Sequence, residues 1–272
     1  RRGAVNLDDP ATTLALLRLD AVLGIKGVFS SDGKLSSVGI QCALCHSTVD
    51  QSFSTNAIPA GYIGKRLDGW PARDLNVGAI IASAPTVKPF ADLLGTDEAT
   101  VRKVLMSCGP GKVDAELILD GKAFRPDGKS AATLLPPAFG LAGSSQHTYT
   151  GWGGIAHWNA FVANLEMVGS GTFWDPRLND GSRFPIAAKA GFGNHRPQMD
   201  LVTPKLAALH AYQLVIPAPA LEKNPFDGRA RNGEALFSGK ARCAACHVPP
   251  LYTESGWNMH TPEEIGIDDF QA

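Results

Sequence analysis

Two hexapeptides carry the chemistry that this chain can do: "QCALCH" at 41–46 and "RCAACH" at 242–247. Each is a CxxC pair with a histidine directly behind it. A CxxC alone would suit a redox dithiol or half of a zinc site. The trailing histidine changes the chemistry. On a helical turn, two intervening residues set the thiols to form thioethers with the two vinyl groups of a haem. The next residue then offers its imidazole to the iron. Cys42, Cys45 and His46, and again Cys243, Cys246 and His247, therefore predict two covalently held c-type haems, with His46 and His247 as iron ligands. Pooling the four cysteines into one tetrahedral zinc site is the weaker alternative, because the pairs lie far apart in sequence. The fifth cysteine, Cys108, shares one face of "TDEATVRKVLMSCGPG" with Val101 and Leu105, which suits a buried thiol.

The elements that must position these motifs are mostly helical. "DDPATTLALLRLDAVLG" precedes the first motif, with Asp9 as N-cap and Pro10 at the first helical position. "FDGRARNGEALFSGK" precedes the second, with Asp227 as N-cap. Between them, 155–167 ("IAHWNAFVANLEM") and 203–215 ("TPKLAALHAYQLV") show helical periodicity, and Thr96 is expected to cap the Cys108 helix. His210 sits with Leu206 and Leu214 on one helical face, as a core histidine would. No clean strand alternation or hairpin stands out. The fold class is mainly α: two cytochrome c-like haem modules with long loops. The Pro-rich stretch "IPAPALEKNPFD" reads as the linker, giving modules at 1–216 and 217–272. The short tail after His247 suggests that the C-terminal module is incomplete.

Composition sets outer bounds. The chain has 272 residues and a net charge of −1, so neither nucleic acid nor an anionic membrane is a suggested partner. Its longest apolar run, "VGAIIASA" at 77–84, is too short to span a bilayer. "RRGAVN" lacks a following apolar segment and reads as a trimmed N-terminus. Covalent haem attachment points to the exported side of the membrane, with the bacterial periplasm as default.

The stretch "ALHAYQLVIPAPALEKNPFDGRARNGEALFSGKARCAACHVPPLYTESGWN" resembles the bacterial dihaem cytochrome c peroxidase superfamily, which includes the methylamine-dehydrogenase maturation enzyme and a haem rubber oxygenase. "LPPAFGLAGSSQHTYTGW" at 135–152 is similar to the family's proline and aromatic-Trp segment. The resemblance implies a reactive N-terminal haem on His46, reducing hydrogen peroxide or activating oxygen. It implies electron entry through the haem on His247 and a tryptophan, Trp152, carrying electrons between them. A calcium ion, with Asn76 as one contributor, is also implied. Glu166 matches the family's pocket glutamate, but Ala156 stands where relatives carry a glutamine. "YIGKR" places Lys65 where many relatives have a ligating histidine.

The sixth position of each iron decides between electron transfer and peroxide chemistry. Candidates are His157, Tyr62, Lys65, Met259 and His260. His157 is also a candidate catalytic group beside Trp152 and Glu166. Arg66 and Arg73 suit haem propionates, since guanidinium forks match carboxylates. A small redox donor, a cytochrome c or cupredoxin, is the expected protein partner, and self-association is compatible with the sequence. The alternative function is a non-catalytic dihaem electron-transfer cytochrome, as a subunit of a larger redox assembly.

Overall fold

The structure is a computed structural model, and it describes residues 6–53, 63–114, 116–122, 125, 130–220 and 226–270. Helix dominates, at 38% against 11% strand, as the mainly α expectation requires. The chain divides into two compact units, 1–139 and 140–272. One CxxCH motif falls in each. The boundary expected at 216/217 lies inside the second unit.

In the first unit, α1 (Pro10–Arg18) begins as its sequence dictates: Asp9 accepts a hydrogen bond from the Ala11 amide, and Pro10 opens the helix. It stops at Arg18, short of the full periodic stretch. An antiparallel ribbon then follows, β1 (Ile25–Phe29) on β2 (Leu35–Ile40). This hairpin is a departure from the strand-free expectation. Its turn holds Asp32-Gly33, with Gly33 at φ +78°, a conformation that glycine adopts freely. The first motif forms α2 (Ala43–His46). It runs into a second ribbon, β3 (Ser47–Val49) on β4 (Arg66–Asp68).

The core of this unit is built by α3 (Val77–Ala82), α4 (Lys88–Leu94), α5 (Glu98–Ser107) and α6 (Leu117–Asp120). Ala82, Val87, Ala91, Val101, Leu105 and Leu117 form one buried cluster. Val101, Leu105 and Cys108 are all buried, as their shared helical face demands. The cap of α5 is Asp97 rather than Thr96: Asp97 Oδ1 accepts the Thr100 amide at 2.9 Å. Glu98 then accepts the Val87 amide at 2.7 Å and ties α5 to the start of α4. A third ribbon joins β5 (Lys112–Val113) to β6 (Thr133–Leu134).

Gly78 lets α3 cross α5 at close range. A Cβ there would lie 2.0 Å from the Leu105 carbonyl oxygen, and that oxygen belongs to backbone that cannot step aside. Gly78→Ala should therefore destabilise the chain by about 2 kcal/mol through overpacking, measured as a lower urea midpoint with an unchanged slope. An unchanged midpoint would show that the helices can separate at no cost.

In the second unit, α7 (Ile155–Phe161) passes into a π-turn at Val162–Glu166. A short ribbon pairs β7 (Phe173–Trp174) with β8 (Asn194–His195). Between these strands lie a 3₁₀ turn, Pro176–Asn179, and α8 (Pro185–Ala190). Ile155, Phe161, Leu165, Phe173, Leu178, Phe184 and Ala187 are buried apolar residues of this region. The helix α9 (Thr203–Val215) has the length that its sequence predicts. It meets α7 through a reciprocal amide pair: Asn159 Nδ2 donates to Gln213 Oε1 at 2.7 Å, and Gln213 Nε2 donates to Asn159 Oδ1 at 3.0 Å. No residue of α9 is buried. His210 is half-buried rather than a core histidine. The last long helix, α10 (Gly228–Ser238), is capped by Asp227, which accepts from the Arg229 and Ala230 amides.

Candidate haem-attachment motifs and their surroundings

The first motif is held from several sides within its own unit. Gly24, at φ +76°, lies so close to the motif that a Cβ would sit 2.2 Å from the Leu44 amide nitrogen. The Gln41 amide donates to the Gly24 carbonyl at 2.9 Å. The Ala72 amide donates to the Cys45 carbonyl, and the Gly69 amide to the His46 carbonyl, each at 2.9 Å. The imidazole is fixed as well: His46 Nδ1–H donates to the Pro136 carbonyl at 3.1 Å. This bond leaves the Nε2 lone pair outward, the tautomer that an iron ligand needs. Burial lowers the His46 pKa, against the raising effect of the Pro136 bond, so the ring is neutral near pH 7. Pro136 is the second residue of the "LPPAFG" segment, and its carbonyl bonds the histidine of the first motif.

The second motif repeats the device. His247 Nδ1–H donates to the Tyr252 carbonyl at 3.0 Å, and Phe237 packs near both rings. Asn258 Nδ2 donates to the Ala245 carbonyl at 3.0 Å and folds the following loop back over the turn. None of residues 226–270 is buried. Leu236, Leu251, Tyr252, Trp257 and Met259 are each more than half exposed. A flat apolar macrocycle tethered at Cys243 and Cys246 would cover surface of this kind, so the donor set and its surroundings fit a haem.

Trp152 lies in the same unit as the second motif, and its segment is pinned to the loop behind His247. The Gly256 amide donates to the Tyr149 carbonyl at 3.0 Å, and Gly151 and Gly256 approach so closely that a Cβ on Gly151 would be 2.9 Å from the Gly256 Cα. The indole is anchored by a residue that sequence reasoning missed. Trp152 Nε1–H donates to Asp175 Oδ2 at 2.9 Å. Arg177 donates to the same carboxylate through Nε at 2.8 Å and Nη2 at 2.7 Å. Its Nη1 donates to the Trp152 carbonyl at 2.7 Å, and its guanidinium lies 4.8 Å from the Trp152 ring centre. Asp175 is only 3% exposed. Burial pushes its pKa up, but the hydrogen bonds from Arg177 and Trp152 outweigh that and hold the carboxyl below its ordinary value.

His157 packs among Trp158, Phe161 and Phe173, with Nε2 directed at Asp175 Oδ2 across 3.6 Å. That nitrogen is buried without a hydrogen-bond partner. Burial lowers the His157 pKa; Asp175 raises it and Arg177 lowers it further. The ring is neutral near pH 7. Glu166 closes the π-turn and is half-buried.

The remaining candidates are dispersed. Tyr62 lies outside the described residues. Lys65 and Arg73 are exposed, and Arg66 Nε donates to Asp68. His260 sits between Cys246 Sγ, 3.2 Å from its Nε2, and Glu264 Oε1, 3.0 Å from its Nδ1. Met259 is exposed. Asn76 Oδ1 accepts the Ala79 amide at 2.9 Å as the cap of α3. Among the described residues, no cluster of three or more His, Cys, Asp or Glu side chains is placed to hold a metal ion.

Asp114 has one buried carboxyl oxygen, Oδ2, with no hydrogen-bond partner. Burial, helped by repulsion from Asp120 and Glu116, pushes its pKa up to about 6. A raised carboxyl penalises folding once it ionises, so the penalty is present above about pH 6 and is relieved as pH falls toward 4. Asp114→Asn should therefore stabilise the chain by about 1–2 kcal/mol at pH 7. The gain should vanish below about pH 4. Thermal melts across that range check both, and a variant less stable at pH 7 would refute the assignment.

Over 130 residues the chain is 35% identical to the cytochrome-c peroxidase IdrP1 of Denitromonas iodatirespirans. The match takes in 39% of this chain and 34% of that protein, so it spans about a third of the curated relative's length. No family model matches the chain, and no solved structure matches it. Among the described residues, no helix is long and apolar enough to cross a membrane. The chain is thus similar in part to a peroxidase-like cytochrome c.

Proposed function

We propose that the chain is an exported dihaem c-type peroxidase, carrying haem on Cys42, Cys45 and His46 and again on Cys243, Cys246 and His247. The observation that carries this reading is the repeated geometry at the two motifs. In each, a CxxCH turn presents a histidine whose Nδ1–H is held by a backbone carbonyl, leaving Nε2 for iron. Partial similarity to a curated cytochrome-c peroxidase supports the same reading. The haem modules are proposed at 1–216 and 217–272.

Bound haem supplies the iron redox chemistry by which hydrogen peroxide, or oxygen, is reduced. The protein's part is division of labour. His46 holds the reactive group, and His247 holds the group that receives electrons from a small cytochrome c or cupredoxin. Trp152, pinned to the loop behind His247, carries electrons onward. Glu166 acts as acid-base group on peroxide. His46 would hold the iron from one side, and neither His157, whose Nε2 faces Asp175, nor the exposed Lys65 is assigned as a second protein ligand to it. Arg66 and Arg73 are the proposed propionate partners, calcium an accessory ion, and the periplasm the location.

A second reading, a non-catalytic dihaem electron-transfer cytochrome, is favoured by Ala156 at the position of the family's glutamine. Ferric electron paramagnetic resonance and peroxide turnover with a reduced donor separate the two. A high-spin signal that cyanide abolishes, with turnover, supports the peroxidase. Two low-spin haems without turnover would establish the second reading.

A further inference from the structure

The surroundings of Asp175 Oδ2 point beyond simple anchoring of an indole. Trp152 Nε1–H reaches this oxygen at 2.9 Å and Arg177 Nη2 reaches it at 2.7 Å. His157 Nε2 faces it at 3.6 Å, buried and without a partner. Loss of an electron from an indole leaves positive charge on the ring and makes the N–H acidic. The Arg177 guanidinium over the ring opposes that charge, while the Asp175 carboxylate at the N–H edge favours it. Two opposite unit charges at similar range largely offset one another. A bare indole cation therefore gains little from its surroundings. Proton loss is the remaining way to lower its energy.

The acceptor for that proton is set by the same geometry. Asp175 is held by several donors, which makes it a poor final resting place for a proton. With the ring proton on Nδ1, His157 Nε2 carries a lone pair, and such an imidazole nitrogen is ordinarily more basic than a carboxylate by about 2.6 pH units. A proton on His157 Nε2 would close the 3.6 Å gap into a charge-assisted hydrogen bond. We propose that Trp152 is oxidised with concerted loss of its indole proton, which passes by way of Asp175 Oδ2 to His157 Nε2. The inference rests on the reading of Trp152 as an electron carrier and deepens it. One electron leaves Trp152 for a high-potential metal oxidant, ruthenium(III) in the test below; the Nε1–H bond breaks, and one proton arrives on Nε2 of the Nδ1–H form of His157. Asp175 relays the proton and ends as the carboxylate it began as. The products are a neutral indolyl and an imidazolium ion paired with Asp175; reduction reverses every step. The charged groups facing His157 are Asp175 and Arg177, and the rest of its wall is the neutral rings of Trp158, Phe161 and Phe173.

The test oxidises the full chain with photogenerated ruthenium(III) tris-bipyridine, in H₂O and in D₂O, and traps the radical for electron paramagnetic resonance. The expected signal is abolished by Trp152→Phe and is identical in the two solvents, because a neutral indolyl carries no exchangeable proton. His157→Gln, which keeps polarity but not basicity, should slow formation of the radical about a hundredfold and leave a D₂O-sensitive cation. A D₂O-sensitive signal in the wild type would overturn the proton transfer while leaving Trp152 as carrier. Absence of any Trp152-dependent radical would overturn the carrier reading itself. An unchanged rate in a folded His157→Gln chain would also refute the relay. Should that variant not fold, the wild-type solvent comparison alone decides.

Discussion

On the proposed dihaem peroxidase reading, replacing Cys42 and Cys45 together with serine should abolish peroxide reduction while leaving the second haem in place. Serine cannot form a thioether, so a haem proposed at His46 would no longer be covalently held, and the chemistry proposed for it would go with it. Haem content should fall from about two per chain to about one. The mirror variant, Cys243→Ser with Cys246→Ser, should lose the other haem. Its peroxide turnover with a protein donor should drop to background, because the proposed entry point for electrons would be gone. Turnover driven by a small chemical reductant that reaches the His46 haem directly should be less affected. Equal loss of all activities in both variants would contradict the division of labour. Full activity in the first would contradict the placement of the reactive haem.

Asp175→Ala is expected to be the most destabilising single change in the second unit. Asp175 accepts hydrogen bonds from Trp152 and Arg177 and caps the Pro176–Asn179 turn through the Arg177 amide. Removing it strands a partly buried indole N–H and leaves Arg177 without its carboxylate. Because the Arg177 side chain is half exposed, its charge can turn to water, and the cost should be about 3 kcal/mol rather than that of a fully buried broken pair. Its pH dependence has a definite sign. The folded pKa of Asp175 is depressed, so its contribution is present above the unfolded value of about 4 and is lost as pH falls through the lower folded value. The stability gap between wild type and Asp175→Asn should therefore narrow below about pH 4. Denaturant melts at neutral and acid pH check this, and a gap that widens with acid would refute it.

How much of this was legible in the sequence follows from where each signal lives. The two CxxCH motifs are local, and so are the caps at Asp9 and Asp227; both kinds of signal translate directly into the turns and helices observed. Helix α9 matched its periodic stretch because Thr203-Pro204 and Ile216-Pro217 punctuate it at both ends. The β1–β2 hairpin was missed because its outer strand is exposed throughout, so no alternation of burial marks it. The Asp32-Gly33 pair was the one available clue. Thr96 and Asp97 are both good cap residues, and only the fold shows which amide is in reach. Asp175 was invisible for a different reason. Before Pro176 it looks like an ordinary helix cap, and it does act as one; its contact with Trp152 spans 23 positions that no local pattern connects. The same holds for His46 and Pro136, which meet only once the chain has folded.

Both motifs are proposed to carry covalently bound haem. The most direct measurement is haem stoichiometry by pyridine haemochrome assay, after acid-acetone extraction has removed any haem that is not thioether-linked. About two haems per polypeptide should survive extraction. A ratio near one, or zinc in place of iron, would contradict it.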